Sequence, residues 1–211
     1  MIKTLWPTNV LYEERVPEAN DSFLYNLIEI GEEYEEQFPQ AHYPVVIRQG
    51  PETTYNILKD TRPEVQVFKN ILKTRMIKLA QAEDFYEPEN VTFEAISTLR
   101  KFGTNQYAKP HCHRSVDYVA VLYAHVKSGY RPANVYQTMA GNRLQLIDPN
   151  PMRNRLLNHN MIYDIGPKTG TLVIHPSSVF HTAELNLTDE PILAFVTNIK
   201  VRETVRVYEE L

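Results

Sequence analysis

The residues best placed to do chemistry are three histidines. Lys109-Pro110-His111-Cys112-His113 carries two of them one residue apart, and Thr171-Leu172-Val173-Ile174-His175-Pro176-Ser177-Ser178-Val179-Phe180-His181 ends on a third. Side chains alternate across an extended segment, so His111 and His113 share a face and both imidazoles can reach one point in space. His181 follows a short β-rich run, where a later strand of the same sheet or barrel can bring it to that point. Neutral imidazoles converging from different strands can hold a redox-active first-row metal ion and leave positions open for substrate or oxygen. Alone, a His-x-His pair is a weak signal and reads better as a polar patch on an edge strand; with His181 behind it, metal is the stronger reading. Cys112 points to the opposite face and is expected to be a small buried hydrophobe rather than a ligand.

Something must position these side chains, and length and composition bound what it is. The 211 residues suffice for one domain, 1–211, with a sizeable core. A hydrophobic fraction of 43% and a charged fraction of 23% exclude a disordered chain. A net charge of −4 lacks the basic excess that neutralising phosphates would need, so nucleic acid is not an expected partner. No apolar run approaches the roughly 18 residues of a membrane span, and the N-terminus lacks a basic segment followed by an apolar one. One cysteine permits no internal disulfide, which fits a reducing compartment, with the cytoplasm as the default.

The helical part is expected over about 20–85. Lys3 to Tyr12 reads as a leading strand at a sheet edge, limited by Pro7. Asn20-Asp21-Ser22 is a strong N-cap cluster before Phe23, Leu24, Leu27, Ile28 and Ile30, predicting a helix of about four turns that carries the acidic run Glu32–Glu36 on a solvated face. A short strand, Val45-Val46-Ile47, is expected in the loop that follows. Asp60 or Thr61 then caps a helix over Pro63–Glu83, whose stripe Val65, Phe68, Leu72, Met76 and Leu79 faces a sheet while Lys69, Lys73 and Lys78 face water.

A β core is expected over about 90–202. Val91–Leu99, Ser115–Val126, Asn134–Met139, Leu144–Asp148, Met161–Ile165, Thr171–Ile174 and Ile192–Val201 are strand-like and separated by Gly, Pro and Asn. The fold class is therefore mainly β with N-terminal helices (α+β), and a double-sheet jelly roll buttressed by two helices fits the strand count and lengths.

Four stretches in order carry a resemblance: Leu5-Trp6-Pro7-Thr8, Asn105–His113, Leu144–Pro149 and Gly170–His181. The chain resembles, over most of its length, the small bacterial and phage proteins classed as 2-oxoglutarate and Fe(II)-dependent oxygenases of the jelly-roll type. That family opens on a Phe-Pro-Thr-like strand. It then shows an Asn–Pro–His-x-His motif, a strand ending in Asp-Pro, and a segment of Gly, an apolar run, Pro-Ser, two residues and His. The resemblance implies a double-stranded β-helix, Fe(II), 2-oxoglutarate as co-substrate, and hydroxylation or a related oxidation.

Carried over by position, the resemblance makes His111 and His181 metal ligands. His113 stands where the wider superfamily has a carboxylate two residues after the first histidine, so the third ligand is His113 or a carboxylate; Asp117 is the nearest, Glu184 the next, and either could instead orient an imidazole. The superfamily also places an Arg or Lys about ten residues after the last histidine, to pair with the far carboxylate of 2-oxoglutarate. Here Pro191 fills that place, and a cation must come from elsewhere: Lys127 or Arg143 first, with Lys200 and Arg100 as further candidates. Tyr107 and Tyr123, with Tyr118 as an alternative, could supply a hydroxyl to a carboxylate, and buried core tyrosines are the competing reading. Tyr107 and Asp117 are the candidate catalytic residues, and Tyr123 joins Lys127 and Arg143 in binding co-substrate. His175 could line the cleft or be a hydrogen-bonded core histidine, and Arg153 and Arg155 could meet an anionic substrate at the barrel mouth.

The expected function is oxidation of a small-molecule or peptide substrate with O2, and association into a homodimer is left open. The alternative is a cupin-like three-histidine metalloprotein that does without 2-oxoglutarate, as a binding module or through different oxygen chemistry. Pro191 favours the alternative, and the four motifs in order favour the oxygenase.

Overall fold

In the computed structural model the described residues are 2–5, 8–38, 55–83, 92–113, 115–127, 143–147 and 162–202. Helix α1 (Asp21–Gln37) starts where the sequence places its cap, with the Asn20 side chain accepting from the Phe23 N–H and Asp21 in the positively polarised first turn. Helix α2 (Pro63–Ala82) has Pro63 in its first turn, but its N-cap is Arg62. The Asp60 carboxylate accepts instead from the Arg62 N–H and guanidinium, so the expected cap is spent one step outside the helix. A 3-10 turn, Ile57–Lys59, precedes it.

Among the described residues ten strands follow in order as β1 (Ile2–Leu5), β2 (Thr8–Glu13), β3 (Thr92–Phe102), β4 (Ala108–His111), β5 (Tyr118–His125), β6 (Leu144–Ile147), β7 (Ile162–Ile165), β8 (Leu172–Pro176), β9 (Phe180–Ala183) and β10 (Ile192–Arg202). They form two antiparallel sheets, ordered β1-β2-β8-β5-β10-β3 and β4-β9-β6-β7. From β3 onward the chain passes from one sheet to the other at every step except the β6–β7 hairpin, as in a jelly roll. The stretch expected as one leading strand is a hairpin, β1 on β2, because Pro7 has no N–H to continue a ladder. The strands expected at Val45–Ile47 and Asn134–Met139 lie outside the described residues.

Period-two alternation sorts the six-stranded sheet into two faces. Leu122, Leu172, Phe195, Ile199 and Leu99 face outward and meet Leu24, Leu27, Phe68, Leu72, Met76 and Leu79 of the helices in one core. Val119, Val121, Tyr123, Val173, Ile192 and Ala194 face inward and meet Leu144, Leu146 and Ile165 of the four-stranded sheet in a second. The helices thus stiffen one sheet, and the barrel interior between the sheets remains for the site. At Gly31 a Cβ would come within 3.0 Å of the Leu99 side chain, so the close seat of α1 on β3 needs glycine there.

Candidate metal centre

The three histidines come from two neighbouring strands and one loop. His111 ends β4, an edge strand of the four-stranded sheet, where Pro110 is tolerated because an edge need not supply every ladder donor. His111 is the register partner of His181 on β9, and His181 in turn pairs with Leu146 on the inner face of β6. His113 lies just past β4 and is tied by its N–H to the Ser177 carbonyl, while the Ser177 N–H bonds to Asp117. The segment Pro176–His181 therefore supplies one histidine and the anchor of another.

One nitrogen from each of His111, His113 and His181 lies within 4.8 Å of the others. Nitrogens about 2.0–2.1 Å from one ion stand at most ~4.2 Å apart, so small side-chain rotations close this cluster on a metal. Ring centroids are 4.4 Å apart for His111–His181 and 5.2 Å for both pairs involving His113. His111 Nδ1 meets the Lys109 carbonyl at 2.6 Å and His181 Nδ1 meets that of Val179 at 3.1 Å. A carbonyl only accepts, so both Nδ1 atoms carry the proton and both Nε2 lone pairs are left for a ligand. Among the described residues neither nitrogen of the buried His113 has a hydrogen-bond partner, a state that coordination would relieve.

Charge agrees with this donor set. Burial first, then the repulsion of His111, push His113 down to about 4, with Asn198 opposing and Arg100 adding to the shift. Burial, His175 and His111 push His181 further down. These imidazoles are neutral at pH 7, the form that binds a metal.

Two more polar side chains face the cluster from the other sheet. On its inner face Asn198 of β10, Val119 of β5 and His175 of β8 stand in one register row. His175 is fully buried, its Nδ1 donates to the Pro176 carbonyl at 2.8 Å, its ring lies 4.6 Å from that of His181, and its Nε2 has no partner among the described residues. The Asn198 Oδ1 is also buried without one. Asn198 was not foreseen; the only trace of it in the sequence is a polar residue breaking the apolar alternation of β10.

The other candidates are scattered. Tyr107 is 45% exposed just before β4. Asp117 is exposed and accepts from the Val201 N–H at 2.7 Å, outside the histidine cluster. Glu184 holds Arg143 and Gln145. Arg143 also reaches Asp164, and since Leu144 and Leu146 face the interior, Arg143 and Gln145 lie on the outer side of β6. Lys127 is bound by Asp189 at 2.5 Å and Glu190 at 3.0 Å. Tyr123 is buried on the inner face of β5, and burial raises its hydroxyl above the usual range. Tyr118 bonds to Glu83 on the helical side. Cys112 is half-buried, and Arg153 and Arg155 lie outside the described residues.

No protein-family model matches the sequence, and no curated protein matches it. Solved structures do. A prolyl-4-hydroxylase from Pseudomonas putida superposes with a TM-score of 0.57 at 11% identity, over 93% of this chain and 88% of that one. A prolyl hydroxylase from Trichoplax adhaerens, solved with a hypoxia-inducible-factor oxygen degradation domain peptide, gives 0.57 at 12% over 90% and 83%. EvdO2 from Micromonospora carbonacea var. aurantiaca, complexed with 2-oxoglutarate, gives 0.52 at 13% over 96% and 89%. At these identities the chain shares their fold, a jelly roll that carries two helices on one of its sheets.

Proposed function

We propose that this protein is a non-haem Fe(II) oxygenase that uses 2-oxoglutarate and O2 to hydroxylate or otherwise oxidise a small-molecule or peptidyl substrate. The convergence of His111, His113 and His181 inside the jelly roll carries the reading. It is supported by a fold shared with two prolyl hydroxylases, one solved with a peptide, and with EvdO2, solved in complex with 2-oxoglutarate. The donor set of three imidazoles suits Fe(II) and leaves positions free for a chelating 2-oxo acid and O2. When bound, Fe(II) supplies the redox chemistry, in which 2-oxoglutarate becomes succinate and CO2 while one oxygen atom enters the substrate.

The chain's own residues bind, orient and dry the site. The carbonyls of Lys109 and Val179 fix two rings, the Ser177 carbonyl fixes the backbone of His113, and Val119, Val121, Val173 and Leu146 wall the interior against water. Tyr123 keeps its proton at neutral pH and can donate to a carboxylate. Among the described residues no helix is long and apolar enough to cross a membrane, and with one half-buried cysteine we place the protein in the cytoplasm. Aerobic incubation with Fe(II) and 2-oxoglutarate tests the function: wild-type protein should form succinate and His181→Ala should not, whereas equal turnover by both would contradict it.

A further inference from the structure

Resting on that reading, we propose that Arg100 of β3 supplies the cation for the distal carboxylate of the co-substrate, which lies over Ala194 between Arg100 and the hydroxyl of Tyr123. The inner face of β10 runs Ile192, Ala194, Val196, Asn198 and Lys200, so on the Ala194 side of the histidine row this strand brings no positive charge. A carboxylate buried there without a cation would be strongly disfavoured.

Two of the other candidate cations are already engaged: Arg143 lies outside the barrel wall against Glu184 and Asp164, and Lys127 is held by two carboxylates. Lys200 lies beyond Asn198, away from the Ala194 row, with Glu94 as its register partner. Arg100 is placed differently. No ion pair or hydrogen bond joins its side chain to a described residue.

Its direction follows from alternation. Leu99 belongs to the helix-side core and Phe102 packs on the interior core, so Arg100 and Thr98 share the inner face of the edge strand. In register Arg100 pairs with Ala194 and Ala194 with Tyr123, giving a row of cation, methyl group and phenol. The two long side chains stand two strands apart, about 10 Å, with only a methyl group between them, a gap a carboxylate can fill. Four residues of β10, about 13 Å, separate this row from that of Asn198 beside the histidines. A metal-chelated five-carbon diacid and an arginine side chain together cover that span. Edge position leaves Arg100 exposed until the co-substrate arrives, consistent with a binding rather than a packing role.

The test titrates Fe(II)-loaded protein without oxygen, following the metal-to-ligand absorption band with 2-oxoglutarate and separately with 2-oxobutanoate, which lacks the distal carboxylate. Arg100→Ala should weaken 2-oxoglutarate about 10- to 100-fold and leave 2-oxobutanoate unchanged, with Arg100→Lys recovering part of the loss. Wild-type affinity in Arg100→Ala, or equal weakening of both acids, overturns the assignment. So does a selective loss in Lys127→Ala or Arg143→Ala with Arg100→Ala unaffected. Wild-type protein that takes up Fe(II) but gives no band with either acid overturns the proposal together with the reading it rests on.

Discussion

His111 and His181 face each other as register partners on β4 and β9, and each binds its Nδ1 to the carbonyl two residues before it, Lys109 and Val179. The same local device is used twice, once on each strand. It sets both tautomers before any ligand arrives, so binding need not reorganise the rings.

Removing either partner should remove the metal. His111→Ala and His181→Ala should each lose most of the one ion per chain found in the wild type by metal analysis. Ion binding to the folded state alone also stabilises it, by about 2.7 kcal/mol at a hundred times the dissociation constant. A chelator should therefore lower the wild-type melting temperature and leave that of His181→Ala unmoved; unchanged stoichiometry in both variants would exclude this site.

Leu72 is buried in the stripe of α2 that packs on the outer face of the six-stranded sheet. Leu72→Ala should cost about 2–5 kcal/mol in denaturant unfolding, as for other core leucines. A change within ~0.5 kcal/mol would place that face in solvent.

Gly31→Ala sets two effects against each other. Alanine gains roughly 0.5–1 kcal/mol of helix propensity, but its Cβ would stand 3.0 Å from Leu99 Cβ and 3.1 Å from Phe195 Cε1. Overpacking of about 1–3 kcal/mol should prevail, so the variant should melt below the wild type. A higher melting temperature would show that Leu99 and Phe195 give way.

Arg75 is buried between Glu13 and Glu18 and ties α2 to the chain around β2. Hydrogen bonding to Arg75 holds the Glu18 carboxyl below its usual value. A carboxyl lowered on folding stabilises above its unfolded pKa, about 4.3, and loses that contribution as pH falls through the folded value. Urea unfolding should therefore show wild-type stability falling below about pH 4.5, with a shallower fall in Glu18→Gln; identical slopes would remove Glu18 from acid unfolding.

The sequence shows what repeats and hides what depends on register. The stripe from Val65 to Leu79 steps at helical spacing, and all five of its residues are buried. The shared face of His111 and His113 follows from alternation, and their ring centroids lie 5.2 Å apart. Arg75 was illegible because its burial depends on carboxylates 57 and 62 residues away. The inward sides of Arg100 and Asn198 were hidden likewise: alternation splits β3 and β10 into two faces but does not say which one looks into the barrel. The hairpin at the start, expected as one strand, needed a partner strand to define it.

Anaerobic titration of the wild-type protein with Fe(II) and then 2-oxoglutarate tests the central claim most directly. One equivalent of Fe(II) should bind, and 2-oxoglutarate should then develop a visible metal-to-ligand charge-transfer band that saturates at one equivalent and is missing in His181→Ala. Tight Fe(II) binding through the three histidines, with no band at any 2-oxoglutarate concentration, would contradict the account and leave a metal site that works without this co-substrate.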